Sequence, residues 1–319
     1  MRLFFSLLLL SAAVAIFLNR QFLIDSFLAW QYKPTAEIAA MAERAQLTDE
    51  GKFYFYASHP QLDDRQAFNN SCTTQNTEQS VVLGCYAGMR IYVFNVDNPK
   101  LDGIKEVTAS HEMLHAAYDR LSPSERKHVD KLVSAELNKL TDKRILDLVK
   151  EYDKTEPGER LNELHSILGT EVANLSPELE TYYQQYFKNR GAVVALATNY
   201  ASVFEDLKSR MDSLLSELTA LADRIESENA QYKASAQRLN SDIDSFNARA
   251  RSGRMTRAEF DSERAALEAR QSELQSLYDT IKADIALYDT KRSELEAINT
   301  ESDVLNRSID SKLSPVPNL

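Results

Sequence analysis

The C-terminal part of the chain carries a hydrophobic residue at every seventh position over a long stretch. A column of this kind is typical of the seam of a coiled coil, because seven residues make close to two helical turns. The pattern breaks at Gly253 and then resumes, and its two halves are mirror images about this glycine. The first half contains Phe204, Met211, Leu218, Ile225, Tyr232, Leu239 and Phe246, and the second contains Phe260, Leu267, Leu274, Ile281, Tyr288 and Leu295. We therefore predict that the chain folds back near Gly253 and that its two arms pair within one molecule.

The residues around Gly253 favour a tight turn between two helices. Ser252 and Gly253 permit a reversal, and Thr256 with Glu259 matches the capping box that starts a new helix. We predict an all-α antiparallel coiled-coil hairpin over residues 191–319. The second column of its seam is apolar only at first, so the half nearer the turn should pack more loosely. That column contains Leu207, Leu214, Leu221, Glu228, Ser235 and Asp242.

The motif H-E-x-x-H at residues 111–115 is the strongest indication of chemistry in the chain. On a helix, His111 and His115 lie one turn apart on the same side, so both imidazoles can bind one Zn²⁺. Glu112 lies beside them and can reach a water molecule at the metal. The motif predicts a hydrolytic site with one catalytic zinc ion, in which Glu112 is the catalytic residue.

The segments around the motif favour a strand, a loop and a helix, in that order. Residues 90–96 alternate as in a half-buried strand, and the polar residues 97–103 predict a loop. Residues 107–121 predict the helix that carries the motif. Its uncharged neighbours suit a position buried behind a metal site, where an unpaired charge would be costly.

The segment Asn-Glu-Leu-His-Ser at residues 162–166 resembles the N-E-x-x-S stretch of the gluzincin metallopeptidases, the thermolysin-like group. It also resembles the L-N-E-x-x-A stretch of the zinc aminopeptidases, and the likeness is confined to the H-E-x-x-H helix and this segment. The resemblance implies that Glu163 is the third zinc ligand and that the protein is a zinc metallopeptidase that hydrolyses peptide bonds. Ile167 stands where the thermolysin pattern has an aspartate that orients the first histidine, so another group must take that role.

Glu171 and His165 remain alternatives for the third ligand. On one helix His165 projects away from Glu163, so the two cannot both face one metal ion. Glu171 lies two turns further along and is a ligand, a buried hydrogen-bond acceptor or the group that orients a histidine. The candidates for stabilising the oxyanion of the reaction are Tyr118, Tyr182, Tyr183 and His165.

The N-terminus predicts a membrane anchor. Residues 3–18 form an almost unbroken apolar run, so we expect a transmembrane helix within residues 1–33. Ala13-Val14-Ala15 also fits the cleavage site of a signal peptide. We therefore expect a single-pass protein of the cell membrane whose catalytic domain is extracytoplasmic, or a secreted protein if the segment is cleaved.

The cysteines and the net charge limit the environments and the partners that we expect for the protein. Cys72 and Cys85 are the only cysteines and predict a disulfide in a turn-rich stretch. A formal net charge of −11 argues against nucleic acid as a partner. The expected partners are a peptide or protein substrate, the membrane through the N-terminal helix, and an envelope protein as a candidate partner of the coiled coil.

The predicted fold is an α+β zincin-like catalytic domain over residues 34–190, followed by the helical hairpin. The competing function is a coiled-coil envelope scaffold whose zinc domain is structural or degenerate. Glu112 argues against it, because a structural zinc site needs no general base between its ligands. The elements expected in the catalytic domain are strands at 52–57, 81–83 and 90–96, a helix at 35–45, and helices that start at Ser122-Pro123 and Ser176-Pro177.

Overall fold

The chain folds mainly into α-helices. The computed structural model describes residues 14, 16–17, 19–72, 82–155 and 158–312. Helices take up 77% of these residues, and the sheet among them has three strands of three to five residues. The predicted α+β zincin-like class is therefore wrong, since the fold is predominantly helical and includes two long helices of 62 and 53 residues.

The elements belong to two compact units. One contains Met1–Phe204 together with Val304–Leu319, and the other contains Glu205–Asp303. In chain order the elements are α1 (Arg20–Gln31), α2 (Ala36–Arg44), α3 (Asp49–Ala57), β1 (Gln61–Asp63), α4 (Arg65–Ser71), β2 (Gly84–Ala87), β3 (Arg90–Phe94), α5 (Ile104–Asp119), α6 (Pro123–Leu137), α7 (Lys143–Thr155), α8 (Arg160–Thr170), α9 (Pro177–Tyr183), α10 (Arg190–Arg251) and α11 (Arg257–Ile309). The predicted helix starts at Ser122-Pro123 and Ser176-Pro177 are confirmed by α6 and α9.

Residues 52–57, predicted as a strand, lie in helix α3. Thr48 caps this helix, because its side-chain oxygen accepts a hydrogen bond from the Gly51 amide at 3.0 Å. Asp49 and Glu50 lie in the first turn, where negative charge interacts favourably with the helix dipole. The run of four aromatic residues favours a strand, but the capping residues before it start a helix.

The sheet has the strand order β1-β3-β2. β3 pairs in parallel with β1 and antiparallel with β2, and its Ile91 and Val93 are fully buried. Both β2 and β3 pack against α5. α5 starts at Ile104, three residues before the predicted start, after Gly103 takes a left-handed φ of 97°. The sheet thus covers one side of the helix that carries the H-E-x-x-H motif.

Helix α8 packs closely against the other side of α5. Gly169 of α8 lies at the closest approach, where a Cβ atom would collide with the Leu114 side chain and lie 2.9 Å from the Tyr183 ring. Leu114 and Tyr183 are both fully buried. The contact therefore requires glycine at this position, and it brings the first turn of α8 towards the two histidines of α5.

The predicted disulfide between Cys72 and Cys85 is confirmed. It joins the residue after α4 to strand β2, with 6.0 Å between the two Cα atoms. A crosslink that closes a loop of this size stabilises a fold by about 3 kcal/mol in the chain-entropy view. The bond therefore links β2 to the end of α4 within the first unit.

The predicted transmembrane helix is contradicted by the structure. Most of residues 3–18 lie outside the described residues, and among the helices that the structure describes none is both long and apolar enough to cross a membrane. Helix α1 has 12 residues, and its Asp25 is buried in an ion pair with Arg120. The prediction of a single-pass anchor in residues 1–33, and with it the predicted membrane localisation, is corrected on this finding.

Within the second unit, α10 and α11 run antiparallel to each other. The turn between them contains Gly253 with a φ of 68°, and α11 begins with the capping box of Thr256 and Glu259. Phe246 and Phe260 contact each other across the turn, with ring centroids 5.1 Å apart. Further along the hairpin, Tyr232 and Tyr278 contact each other at 5.9 Å.

Ion pairs between the two helices are distributed along the hairpin. Asp284 is only 8% exposed and accepts a hydrogen bond from Arg224 at 2.6 Å. Because a buried charge is tolerated only with its partner, this pair favours one alignment of the helices over others. The other pairs are Arg249–Glu263, Asp242–Arg270 and Glu217–Lys291.

The seam predicts which leucines of α10 stabilise the hairpin. Leu239 is 4% exposed and Leu215 is 49% exposed. We expect Leu239→Ala to lower the free energy of unfolding by about 2–4 kcal/mol, because it opens a cavity in the seam. The control Leu215→Ala should change it by about 0.5 kcal/mol or less, as is usual for surface substitutions. Urea unfolding of the full chain, followed by circular dichroism, measures both, and equal effects would contradict the predicted seam.

Candidate metal centre

Helix α5 presents His111 and His115 on one side. Their ring centroids lie 4.8 Å apart, one helical turn along the axis. His115 is buried, and the His111 side chain is 18% exposed. Met113 and Leu114 face the core and are fully buried, so the helix is fixed by its apolar side while the histidines reach the edge of the unit.

Glu163 in the first turn of α8 lies between the two imidazoles. His111 Nε2 is 3.4 Å from one carboxylate oxygen, and His115 Nε2 is 3.5 Å from the other. One ligand atom from each residue lies within 4.8 Å of the other two, so the three side chains could hold a metal ion. Zinc bonds of about 2.0–2.2 Å in a tetrahedron place two ligand atoms roughly 3.3–3.6 Å apart, which the two measured distances match.

Asn162 orients His115. The Nδ1–H of His115 donates to the Asn162 side-chain oxygen at 2.9 Å, which leaves Nε2 directed at Glu163. The Asn162 amide nitrogen in turn donates to Glu159 at 3.0 Å, and this bond fixes which way the amide points. Hydrogen bonds of this kind set the tautomer and the orientation of a metal-binding histidine. This role of Asn162 is not predicted from the sequence, although the residue directly precedes the predicted ligand Glu163.

The three side chains perturb one another strongly. Burial lowers the pKa of His115, but the Glu163 carboxylate more than offsets burial and raises this pKa to about 9. Burial raises the pKa of Glu163, whereas His115 and His111 together hold it well below its usual range. At neutral pH and without a metal, the cluster therefore contains a carboxylate paired with a protonated imidazole.

Glu112 lies under strand β2. It is 6% exposed, and a Cβ atom on Gly84 of β2 would lie 2.7 Å from its carboxylate oxygen and 2.6 Å from the Thr108 methyl group. Burial raises the pKa of Glu112, while His115, His111 and the backbone amide of Tyr86 lower it to a smaller extent. Only glycine lets β2 pass this closely, so the strand sets the surroundings of the predicted catalytic carboxylate.

Arg120 forms hydrogen bonds that connect β2, α5 and α1. Its guanidinium donates to the Tyr86 hydroxyl at 3.0 Å and to the Ala116 carbonyl at 2.8 Å, and it forms a bidentate ion pair with Asp25 of α1. The Arg120 and Asp25 side chains are both almost fully buried. The sequence does not predict this network, and its one indication there is that Asp25 is a lone acidic residue within an apolar segment.

The two alternative ligands lie elsewhere. Glu171 follows the last turn of α8 and forms an ion pair with Arg144 at 2.7 Å. His165 is fully buried, and its ring contacts Tyr118, Tyr182 and Tyr183. Burial among these rings lowers the pKa of His165 to about 3, so it is a neutral core residue at physiological pH. Neither residue joins the cluster of His111, His115 and Glu163.

The tyrosines proposed for the oxyanion all have partners inside the fold. Tyr118 donates to Asp130 at 2.5 Å, and Tyr183 donates to the His165 carbonyl at 2.6 Å. The Tyr182 hydroxyl lies 2.9 Å from His165 Nε2. These hydroxyls stabilise the core behind the cluster, and the structure directs none of them at it.

No protein-family model, curated protein or solved structure matches this chain. The likeness to gluzincins therefore rests on the two short sequence motifs alone.

The hydrogen bond from His115 predicts an effect on metal affinity. With Zn²⁺ as the probe, we expect Asn162→Ala to weaken binding by about 10- to 100-fold, because the imidazole loses the group that orients it. Asn138→Ala is the control, since the Asn138 side chain bonds only to an exposed turn of α6. Competition with a zinc chelator measures the affinity, and equal affinities of the two variants would contradict the role of Asn162.

The pKa of His115 predicts proton release on metal binding. Since this pKa is about 9 in the metal-free cluster, His115 is protonated at pH 7 and must lose its proton to bind metal. The apparent Zn²⁺ affinity should rise by about tenfold per pH unit up to pH 9 from this proton alone. Calorimetric titration in buffers of different ionisation enthalpy measures the number of protons released. The same titration of Asn162→Ala and of the control His128→Gln, which changes an exposed histidine outside the cluster, allows the proton release of the variants to be compared with that of the wild-type protein. Binding without proton release at pH 7 would contradict the assignment.

Proposed function

We propose that the chain is a zinc-dependent metallopeptidase that hydrolyses peptide bonds. The observation that carries the proposal is the convergence of His111, His115 and Glu163 beside the buried carboxylate of Glu112. Two imidazoles and one carboxylate are a common ligand set of catalytic zinc sites, which keep a further position open. This donor set supports Zn²⁺ as the resident metal.

Zinc, when bound, supplies Lewis acidity that polarises a carbonyl group and makes water more acidic. The two histidines and Glu163 would hold it, and Asn162 would keep His115 in the tautomer that presents Nε2. Because the three donors come from α5 and α8, which pack closely through Gly169, the chain holds them in place before any ligand binds.

Glu112 is proposed as the general base and acid. Its carboxylate takes a proton from the attacking water and delivers it to the nitrogen of the leaving amine. Burial raises the pKa of its carboxyl group, and a raised pKa favours a carboxyl group that has to return the proton it accepts. A structural metal site has no use for such a group, and this supports turnover over a purely structural role.

The resemblance to gluzincins supports the same reaction, with two differences. Ile167 stands in place of the aspartate of the thermolysin pattern, and in this chain it is the second histidine, His115, that donates a hydrogen bond to the side-chain oxygen of Asn162. The substrate class that follows from the chemistry is a peptide or protein.

The proposal is tested with the purified full chain. We expect about one zinc per chain, and we expect Glu112→Gln to keep the zinc and to lower hydrolysis of a mixed peptide library by about 10²- to 10⁴-fold, because only the proton-transfer group is lost. Zinc is measured by elemental analysis and cleavage by mass spectrometry. If Glu112→Gln hydrolysed peptides at the rate of the wild-type protein, the proposal that the chain is a peptidase would be rejected.

A matched pair of variants tests the third ligand. Glu163→Ala should release zinc, whereas Glu171→Ala should keep it, because Glu171 bonds to Arg144 and lies outside the cluster. The reverse result would make Glu171 the ligand. A wild-type chain that holds zinc and cleaves no peptide would instead favour a scaffold with a structural metal site.

A further inference from the structure

The disulfide of this protein lies in the strand that covers Glu112. Cys85 is in β2 between Gly84, on which a Cβ atom would lie 2.7 Å from the Glu112 carboxylate, and Tyr86, whose backbone amide bonds to that carboxylate. We infer that the Cys72–Cys85 disulfide positions β2 over Glu112, so that its reduction lowers hydrolysis while the metal stays bound. The inference rests on the proposed function and adds redox control to it.

Besides the disulfide, strand β2 is held by its pairing with β3, by its packing against α5 and by single hydrogen bonds. In the described sheet it is an edge strand that pairs with β3 alone, through the four residues Gly84–Ala87. The Tyr86 hydroxyl bonds to Arg120, and the Val82 carbonyl before the strand accepts from Ser311. A short edge strand is weakly held by such bonds, so the covalent link to α4 has a large share in keeping it close to α5.

The metal ligands do not depend on β2. His111 and His115 belong to α5 and Glu163 to α8, and the contact of these two helices runs through Gly169 and Leu114. Opening the disulfide therefore acts on the surroundings of Glu112 and leaves the donor set in place. This separation distinguishes the inference from a general loss of stability.

The bond is accessible and unique. Cys72 and Cys85 are both only half-buried, and the chain has no other cysteine, so a reductant changes this one bond. Reduction by a dithiol transfers two electrons and two protons, which gives two protein thiols and one oxidised dithiol. A phosphine gives the same two thiols, because it takes oxygen from water to become a phosphine oxide and the two hydrogens of water go to the sulfurs.

The test uses the zinc-loaded full chain and a water-soluble phosphine, because thiol reagents compete for zinc. After reduction and desalting without oxygen, we expect kcat to fall by about 10- to 100-fold, since a shift of about 1 Å in a catalytic group can cost about 10²-fold. Zinc content should stay at its starting value, amide exchange of residues 84–87 should rise, and reoxidation should restore the rate.

Variants keep the test independent of the reductant. Gly84→Ala should lower hydrolysis in the oxidised protein with zinc retained, because its Cβ atom displaces β2 from Glu112. Gly158→Ala is the control, since a Cβ atom there meets open space. The double variant Cys72→Ser, Cys85→Ser should have the activity of the reduced protein and should not respond to the phosphine.

The outcomes separate the inference from the proposed function. Hydrolysis by the oxidised protein that is unchanged on reduction, or zinc that is lost on reduction, would overturn the inference and leave the peptidase in place. An oxidised protein that holds zinc but cleaves no peptide would reject the peptidase and the redox control together. Unchanged amide exchange in β2 would overturn the structural basis of the inference, whatever the activity.

Discussion

The close packing of α8 on α5 is the constraint on which the candidate site depends. Helical spacing alone places His111 and His115 together, but a third donor has to come from another element. Gly169 lets the two helices approach until Leu114 fills the space that a side chain would take, and Glu163, two turns earlier on α8, then lies within 3.4–3.5 Å of both imidazoles. A larger residue at 169 would push α8 outwards, and the carboxylate would move with it.

The sequence was most informative where a local rule decides the geometry. The four-residue spacing of the histidines, the capping box at Thr256 and Glu259, and the two cysteines each predict a contact that needs no knowledge of the rest of the fold. Residues 52–57 show the limit of such rules, because a short run of aromatic residues fits a strand as well as a helix. The cap that starts the helix is Thr48, which lies outside this run.

The parts of the site that the sequence did not predict arise from contacts between distant segments. Gly84 is 28 positions from Glu112, and nothing in its neighbourhood in the sequence indicates that a strand will pass over that carboxylate. Asp25 and Arg120 are likewise 95 positions apart, yet they form a buried ion pair that holds β2 through Tyr86. Such partners become visible only when tertiary packing is known, because either residue alone fits many structures.

The metal cluster and Glu112 are held in place by contacts of different strength. The proposed metal ligands belong to two helices that pack through a buried apolar contact. Disturbing a core contact of this kind costs several kcal/mol of stability. Glu112 rests under a four-residue edge strand, where single hydrogen bonds contribute about 0.5–1.5 kcal/mol each and a disulfide of this loop size about 3 kcal/mol. Since the disulfide joins β2 to the end of α4 and belongs to neither α5 nor α8, its loss should change the surroundings of Glu112 before it changes the metal cluster. Under the proposed function, a rigid set of metal ligands is thereby combined with a proton-transfer group whose surroundings depend in part on one reducible disulfide.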